Sequence, residues 1–275
     1  MDQNIKTLFA EITKKEARTS LFLEESISNN NYLINDAYVL RIPKINPEKA
    51  TNYAHEKNNY KVLEPLKISE KLLYLDEIHG YKVTKFIHNT RFYQEINNEV
   101  MNNIARLLKK LHGSGIKVPY GYQLFNRLNN YKELIDSKYY IADDYEKKVV
   151  KNVERIFNKE ELTFCHNDLV RGNLLFRFNT TFIIDWENGS MNNPLFDLAS
   201  FISENNLTSS QEEYFLKKYF GYKYSLLKRK RVDIFVEFQD ILFYYWALAY
   251  FFTRKEEVYL RIAKEKLERI TSKLP

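Results

Sequence analysis

The sequence predicts an α+β protein. A smaller N-terminal part, residues 1–87, carries an antiparallel sheet and one helix besides a leading surface helix; a larger, mainly helical part spans residues 88–275. Three observations support this. Short apolar runs bounded by turn residues crowd the first 87 positions. Apolar residues recur at helical spacing from Val100 onward. One hairpin-like stretch, Phe164 to Glu187, interrupts the helical pattern.

In chain order, Ile5, Leu8, Phe9 and Ile12 give residues 1–19 the spacing of a surface helix. Leu21–Leu23, Tyr32–Ile34 and Ala37–Ile42 read as three strands. Between the first two lie Ser28, Asn29, Asn30 and Asn31, read as part of the connecting turn. Pro47–Leu66 follows as a helix, with Tyr53, Asn59, Tyr60 and Leu63 spaced to pack on the sheet. Strands near Lys71–Tyr74 and Tyr81–Val83 complete this part. Val100, Ile104, Leu107, Leu108 and Leu111 mark a core helix ending near His112-Gly113, where His112 is expected to be solvated. Helices are expected across residues 120–160 and again after Asp197.

Composition narrows the function classes. With 44% hydrophobic and 28% charged residues in 275, the chain is globular rather than disordered. The net charge of +6 is spread along the chain and no nucleic-acid motif accompanies it, so no nucleic-acid partner is expected. A single cysteine, Cys165, precludes an internal disulfide and suits a reducing cytoplasm; it reads as a small apolar filler. Met1-Asp2-Gln3-Asn4 carries no signal segment. The apolar run Ile241–Phe252 falls short of the roughly 20 residues that span a bilayer, so it reads as a buried helix and no membrane is expected.

The chemistry concentrates in the interrupting stretch. His166, Asp168, Leu169 and Asn173 form the pattern H-x-D-L-x-x-x-N. Asn173 leads one apolar run, Asn179-Thr180 mark a turn, and Phe182-Ile183-Ile184 return to end on Asp185. A hairpin of this kind brings Asn173 and Asp185 to one end. Two carboxylates and an amide are what phosphoryl transfer needs: oxygen ligands for Mg²⁺ and an acceptor for a hydroxyl proton.

The pattern resembles the catalytic loop and metal aspartate of kinase-like phosphotransferases. Asn167 stands where protein kinases carry arginine, Trp186-Glu187 follow Asp185 in place of Phe-Gly, and no Ala-Pro-Glu segment is present. These features resemble the small-molecule kinases of the aminoglycoside-phosphotransferase and choline-kinase superfamily. Ile184–Glu187, Ser190–Pro194 and Asp197-Leu198-Ala199 look most like bacterial choline kinases of the LicA type.

The resemblance implies a two-lobed, protein-kinase-like fold, ATP and Mg²⁺ as cofactors, and a small alcohol as acceptor: choline, with ethanolamine, an aminoglycoside or thiamine as alternatives. It implies that Asp168 is the catalytic carboxylate, with Asn173 and Asp185 holding Mg²⁺ and Glu187 supporting a second ion. Arg41, held by Glu56, would bind phosphates, and Lys44 is the fallback cation. The Ser28–Asn31 stretch is either a phosphate-facing loop or a plain turn. Thr84-Lys85-Phe86-Ile87 resembles the inter-lobe connector, whose backbone would meet adenine. Asp197 is either a helix N-cap or a brace for the catalytic loop. Glu204 is either solvated or part of the acceptor site. Phe243, Trp246 and Tyr259 form an aromatic stripe that ordinarily means core; the resemblance implies that they surround a quaternary ammonium.

Overall fold

The structure is a computed structural model that describes residues 2–25, 29–44, 52–178 and 180–273. Contacts divide the chain into two compact units, Met1–Gln94 with Gly172–Gly189, and Glu95–Arg171 with Ser190–Pro275. The sequence boundary at residue 87 follows chain order, whereas the contacts assign the later hairpin to the first unit. The reason is backbone pairing. Arg91 and Phe176 exchange N–H···O bonds of 2.9 Å, and Ile183 N–H donates to Ile68 O at 2.8 Å.

In the first unit, α1 (Asp2–Thr13) packs Ile5 and Phe9 on Ile34, Leu40 and Val83 of the sheet. The strands are β1 (Ser20–Glu25), β2 (Asn29–Ile34), β3 (Tyr38–Pro43), β4 (Leu72–Leu75) and β5 (Lys82–Lys85). They form an antiparallel sheet in the order β1-β2-β3-β5-β4. The asparagines expected in a turn lie in β2: Asn30 pairs with Glu25 and Ile42, and Asn31 with Glu24 and Arg41. Ladder bonding on both sides overrides their turn preference. Ser28 lies outside the described residues.

The helix expected over Pro47–Leu66 is α2 (Tyr53–Leu63), capped by Asn52, whose side chain accepts from His55 N. Its last expected turn is a 3₁₀ turn, Glu64–Leu66, where Pro65 supplies no N–H; residues 45–51 are outside the described residues. Thr84 and Lys85, expected in the connector, belong to β5 and pair with Val39 and Tyr38. Strands β7 (Leu174–Arg177) and β8 (Thr180–Ile183) make the expected hairpin.

The second unit is mainly helical. Helix α3 (Asn98–His112) buries Val100, Ile104, Leu107, Leu108 and Leu111, as their spacing predicts. Helices α4 (Leu124–Glu133) and α5 (Asp143–Phe157) pack on the long α8 (Leu226–Arg254). Strand β6 (Thr163–Cys165) pairs with β9 (Ser190–Asn192), which leads into α6 (Pro194–Glu204). Helix α7 (Ser209–Phe220) opens with a capping box between Thr208 and Gln211. Helix α9 (Glu257–Thr271) folds back along α8. The run Ile241–Phe252 is the C-terminal part of α8, and among the described residues no helix is long and apolar enough to cross a membrane.

Candidate active site

The first unit contains a buried cluster of opposite charges. Glu56, fully buried on α2, accepts from Arg41 Nη2 at 2.6 Å through one oxygen and from Lys82 Nζ at 2.7 Å through the other. Asp185 Oδ1 accepts from Arg41 Nη1 at 2.8 Å and Lys82 Nζ at 3.1 Å. Strands β3 and β5 are neighbours, and Arg41 and Lys82 are cross-strand partners, so the sheet register sets the two cations side by side. Burial works against both charges, yet the surrounding carboxylates hold both above their ordinary range. The Arg41–Glu56 pair is therefore present as the resemblance implies. Lys82 is a second cation beside Arg41.

Asp185 sits at the end of β8 with φ 64°, a left-handed conformation that aspartate tolerates better than most residues. Asn59 fixes the turn behind it, donating to Trp186 O at 2.9 Å and Gly189 O at 2.7 Å. Asn173 ends a 3₁₀ turn just before β7, and its carbonyl accepts from Ile184 N at 3.0 Å. The hairpin thus brings Asn173 and Asp185 to one end. Glu187 lies 3.7 Å from Arg41, and burial together with the Asp185 charge pushes its carboxyl up to about 8. Glu56 and Asp185 balance Arg41 and Lys82, and Glu187 adds a carboxyl whose ionisation that neighbourhood disfavours. The side chains of Asp185 and Glu187 are 31% and 24% exposed, while Glu56 is sealed. This oxygen-rich set, with Asp185 and Glu187 partly exposed, fits a divalent cation. Arg41 Nε is buried and donates to nothing among the described residues, a vacancy that a phosphate oxygen would fill.

At the expected connector, Lys85 N donates to Lys71 O at 2.8 Å and Phe86 N to Ala37 O at 2.9 Å. Both amides are used within the sheet, so neither is available to a base. Ile87 N has no acceptor among the described residues and is the amide of the three that could serve one.

In the second unit the catalytic-loop pattern is held from both sides. Asp197, fully buried in α6, accepts His166 N at 2.9 Å and Asn167 N at 2.7 Å. Leu169 N donates to Ser200 Oγ at 2.9 Å, and Asn205 Nδ2 to Leu169 O at 3.0 Å. Asn167, at φ 69°, accepts from Asn192 Nδ2 at 2.7 Å and donates to Ser190 Oγ at 3.0 Å. The residues on either side of Asp168 are pinned, which fixes the origin of its half-buried side chain. Asp197 is thus the brace; the N-cap of α6 is Asn193, whose side chain accepts from Leu195 N.

His112, expected to be solvated, bonds Asp197 Oδ2 at 2.9 Å through Nε2 and Tyr219 OH at 2.7 Å through Nδ1. Burial raises the Asp197 carboxyl, but the bonds and charge from His112 and the amide of His166 outweigh it and hold it below its ordinary range. His112, Cys165 and Asp197 place possible metal donors within 4.8 Å of one another. Both imidazole nitrogens and both Asp197 oxygens are already hydrogen-bonded, and burial pushes the Cys165 thiol well up. The cluster reads as a brace, with Cys165 as filler.

The expected acceptor residues lie on α6, α8 and α9. Phe243 and Trp246 have ring centroids 6.2 Å apart, and Trp246 and Tyr259 5.6 Å. Tyr250 completes the group, 5.1 Å from Trp246 and 5.4 Å from Tyr259. Tyr259 is fully buried and accepts from Arg254 at 2.9 Å, so it backs the aromatic wall while Phe243, Trp246 and Tyr250 retain exposure. Glu204 is not simply solvated: it pairs with Lys266 at 2.6 Å.

Sequence reasoning missed Lys82, Tyr250 and Lys266. A lysine between apolar neighbours in Tyr81-Lys82-Val83 was the available signal for the first, and the four-residue step from Trp246 for the second. Lys266 gave none, because a lysine in an amphipathic terminal helix ordinarily faces water.

Several known proteins resemble this chain in sequence and fold. Protein LicA of Haemophilus influenzae strain Rd is 29% identical over 241 residues, covering 80% of this chain and 89% of that one. The solved choline/ethanolamine kinase family protein of Mesorhizobium loti superposes with a TM-score of 0.81 at 23% identity, covering 99% of this chain and 95% of that one. Choline kinase LicA of Streptococcus pneumoniae gives 0.80 at 23% identity, covering 98% of each chain. The chain is homologous to LicA, its fold is protein-kinase-like, and it is a small-molecule kinase transferring phosphate to an alcohol. The stretch that matches as a family, residues 21–228, takes in both the buried charge cluster and the braced loop, and by it the chain belongs to the phosphotransferase enzyme family.

Proposed function

We propose that the chain transfers the γ-phosphate of ATP to the hydroxyl of choline, giving phosphocholine. The observation that carries the nucleotide half is the network of Arg41, Lys82, Glu56 and Asp185. Two buried, fully charged cations preset on neighbouring strands suit polyphosphate oxygens, and the orphaned Arg41 Nε adds a donor. Glu56 fixes both cations before any ligand arrives. Asn173 and Asp185 are the residues that would hold Mg²⁺, with Glu187 supporting a second ion; the metal would supply positive charge to offset that of the phosphates. Asp168 accepts or orients the acceptor hydroxyl proton from a loop that Asp197, Ser200 and Asn192 hold rigid.

For the acceptor, the LicA relatives and the wall of Phe243, Trp246 and Tyr250 support choline, since a trimethylammonium group is held by ring faces rather than by N–H bonds. Ethanolamine is the second reading, favoured by the partly exposed Glu204 carboxylate. The test is Mg²⁺-dependent ADP release with choline, ethanolamine, thiamine and kanamycin. Highest kcat/KM with choline is the expected result. A higher value with any other acceptor replaces choline, and turnover of none overturns the proposal.

A further inference from the structure

The acceptor wall contains a cation of its own. Lys266, on α9, is 5% exposed. Its ammonium donates to Glu204 Oε1 at 2.6 Å and Ser203 Oγ at 3.2 Å, lies 3.5 Å from Asp240 Oδ1, and stands 5.7 Å from the centroid of the Phe243 ring. Asp240, buried on α8, also faces Arg269 at 3.3 Å and Lys273 at 3.6 Å. Two carboxylates therefore face three cations, and the negative charge near the aromatic wall is already spent.

Primary and quaternary ammonium ions make different demands of such a wall. Ethanolamine carries three N–H donors and needs oxygen acceptors to replace lost water. Choline has no N–H to satisfy, and ring faces can hold its trimethylammonium group without hydrogen bonds. With Glu204 taken by Lys266, an incoming primary ammonium finds rings and few acceptors, whereas a trimethylammonium group forgoes no hydrogen bond.

We propose that Lys266 is a specificity-determining residue: by occupying Glu204 and one face of Phe243, it selects N-methylated over primary ammonium acceptors. This deepens the choline reading and rests on it. Lys266 acts through Glu204 and the wall and takes no part in phosphoryl transfer. Asp240 keeps Arg269 and Lys273 when Lys266 is neutralised, so the site remains charge-compensated without it.

The experiment measures kcat and KM for choline, ethanolamine and ATP in the wild type, Lys266→Met, Lys266→Arg, Glu204→Gln and the Lys266→Met/Glu204→Gln double variant. In Lys266→Met the choline-to-ethanolamine ratio of kcat/KM is expected to fall about tenfold or more, mainly through a lower ethanolamine KM, with ATP KM unchanged. Lys266→Arg keeps the wild-type ratio, and the double variant loses the ethanolamine gain. Glu204→Gln alone raises both acceptor KM values together, because it leaves the Lys266 charge bare. That last variant decides the matter even if Lys266→Met fails to fold: a selective loss of ethanolamine would mean that Glu204 holds the acceptor directly and would overturn the inference. An unmoved ratio in a folded Lys266→Met overturns it as well. Wild-type choline turnover with an unmoved ratio removes only the role of Lys266; wild-type turnover of neither amino alcohol removes the choline reading and this inference with it.

Discussion

Glu56 and Asp197 are both completely buried carboxylates, one in each unit, yet they are neutralised in opposite ways. Glu56 faces two full cations, Arg41 and Lys82, which it shares with Asp185. Asp197 faces two backbone amides and the His112 imidazole. The first arrangement stores charge on long side chains that a ligand can recruit. The second spends a carboxylate on immobilising backbone. Charge-dense clusters suit phosphate binding, and dipole-lined carboxylates suit positioning.

If the Asp197 brace exists to position Asp168, removing the Asp168 carboxylate should affect chemistry alone. Asp168→Asn is expected to lower kcat by about 10²–10⁴-fold with an unchanged melting temperature and ATP affinity. A kcat within about tenfold of wild type would detach Asp168 from the proton-accepting role.

Removing the brace itself should cost stability. Asp197→Ala leaves two amides and His112 without their acceptor and is expected to destabilise the fold by about 3–5 kcal/mol in denaturant titrations. The pH sign follows from its lowered carboxyl. The stabilisation is complete above the ordinary carboxylate range and is lost as pH falls through the depressed folded-state value. The wild type should therefore lose stability in acid more steeply than Asp197→Asn; parallel acid profiles would contradict the role assigned to this carboxylate.

The contrast predicts a different outcome on the other side. Glu56→Gln leaves two buried cations leaning on Asp185, with an expected loss of about 2–3 kcal/mol in stability. ATP KM should rise while acceptor KM holds. A matched rise in both would mean that Glu56 acts only through general unfolding. The smallest effect is expected at the aromatic wall, where Trp246→Ala should raise choline KM about tenfold and leave ATP KM alone. An unchanged choline KM would place the trimethylammonium elsewhere.

The sequence made the hairpin and its ends legible because they follow local rules: a period-two apolar pattern, a turn and polar residues at fixed spacing. Arg41 and Glu56 were legible only through resemblance, since nothing local joins a strand to a helix fifteen residues on. Asn29–Asn31 misled because their turn preference is local while their strand pairing is not. Lys82 and Lys266 escaped notice for the same reason. Each is a lysine whose burial depends on carboxylates supplied by other elements. His112 looked like an ordinary polar residue at a helix end until α6 and α7 brought Asp197 and Tyr219 to it.

The left-handed backbone at Asp185 has a consequence for how this site can be dissected. Alanine pays roughly 1–2 kcal/mol to adopt that conformation, whereas asparagine and glycine adopt it readily. An alanine scan through Asp185 would therefore confound two losses, the missing carboxylate and a backbone relaxing out of its turn. That relaxation could shift Trp186, which is packed without exposure directly behind it. Asparagine isolates the charge, glycine isolates the side chain, and the difference between alanine and glycine measures how far the turn itself contributes.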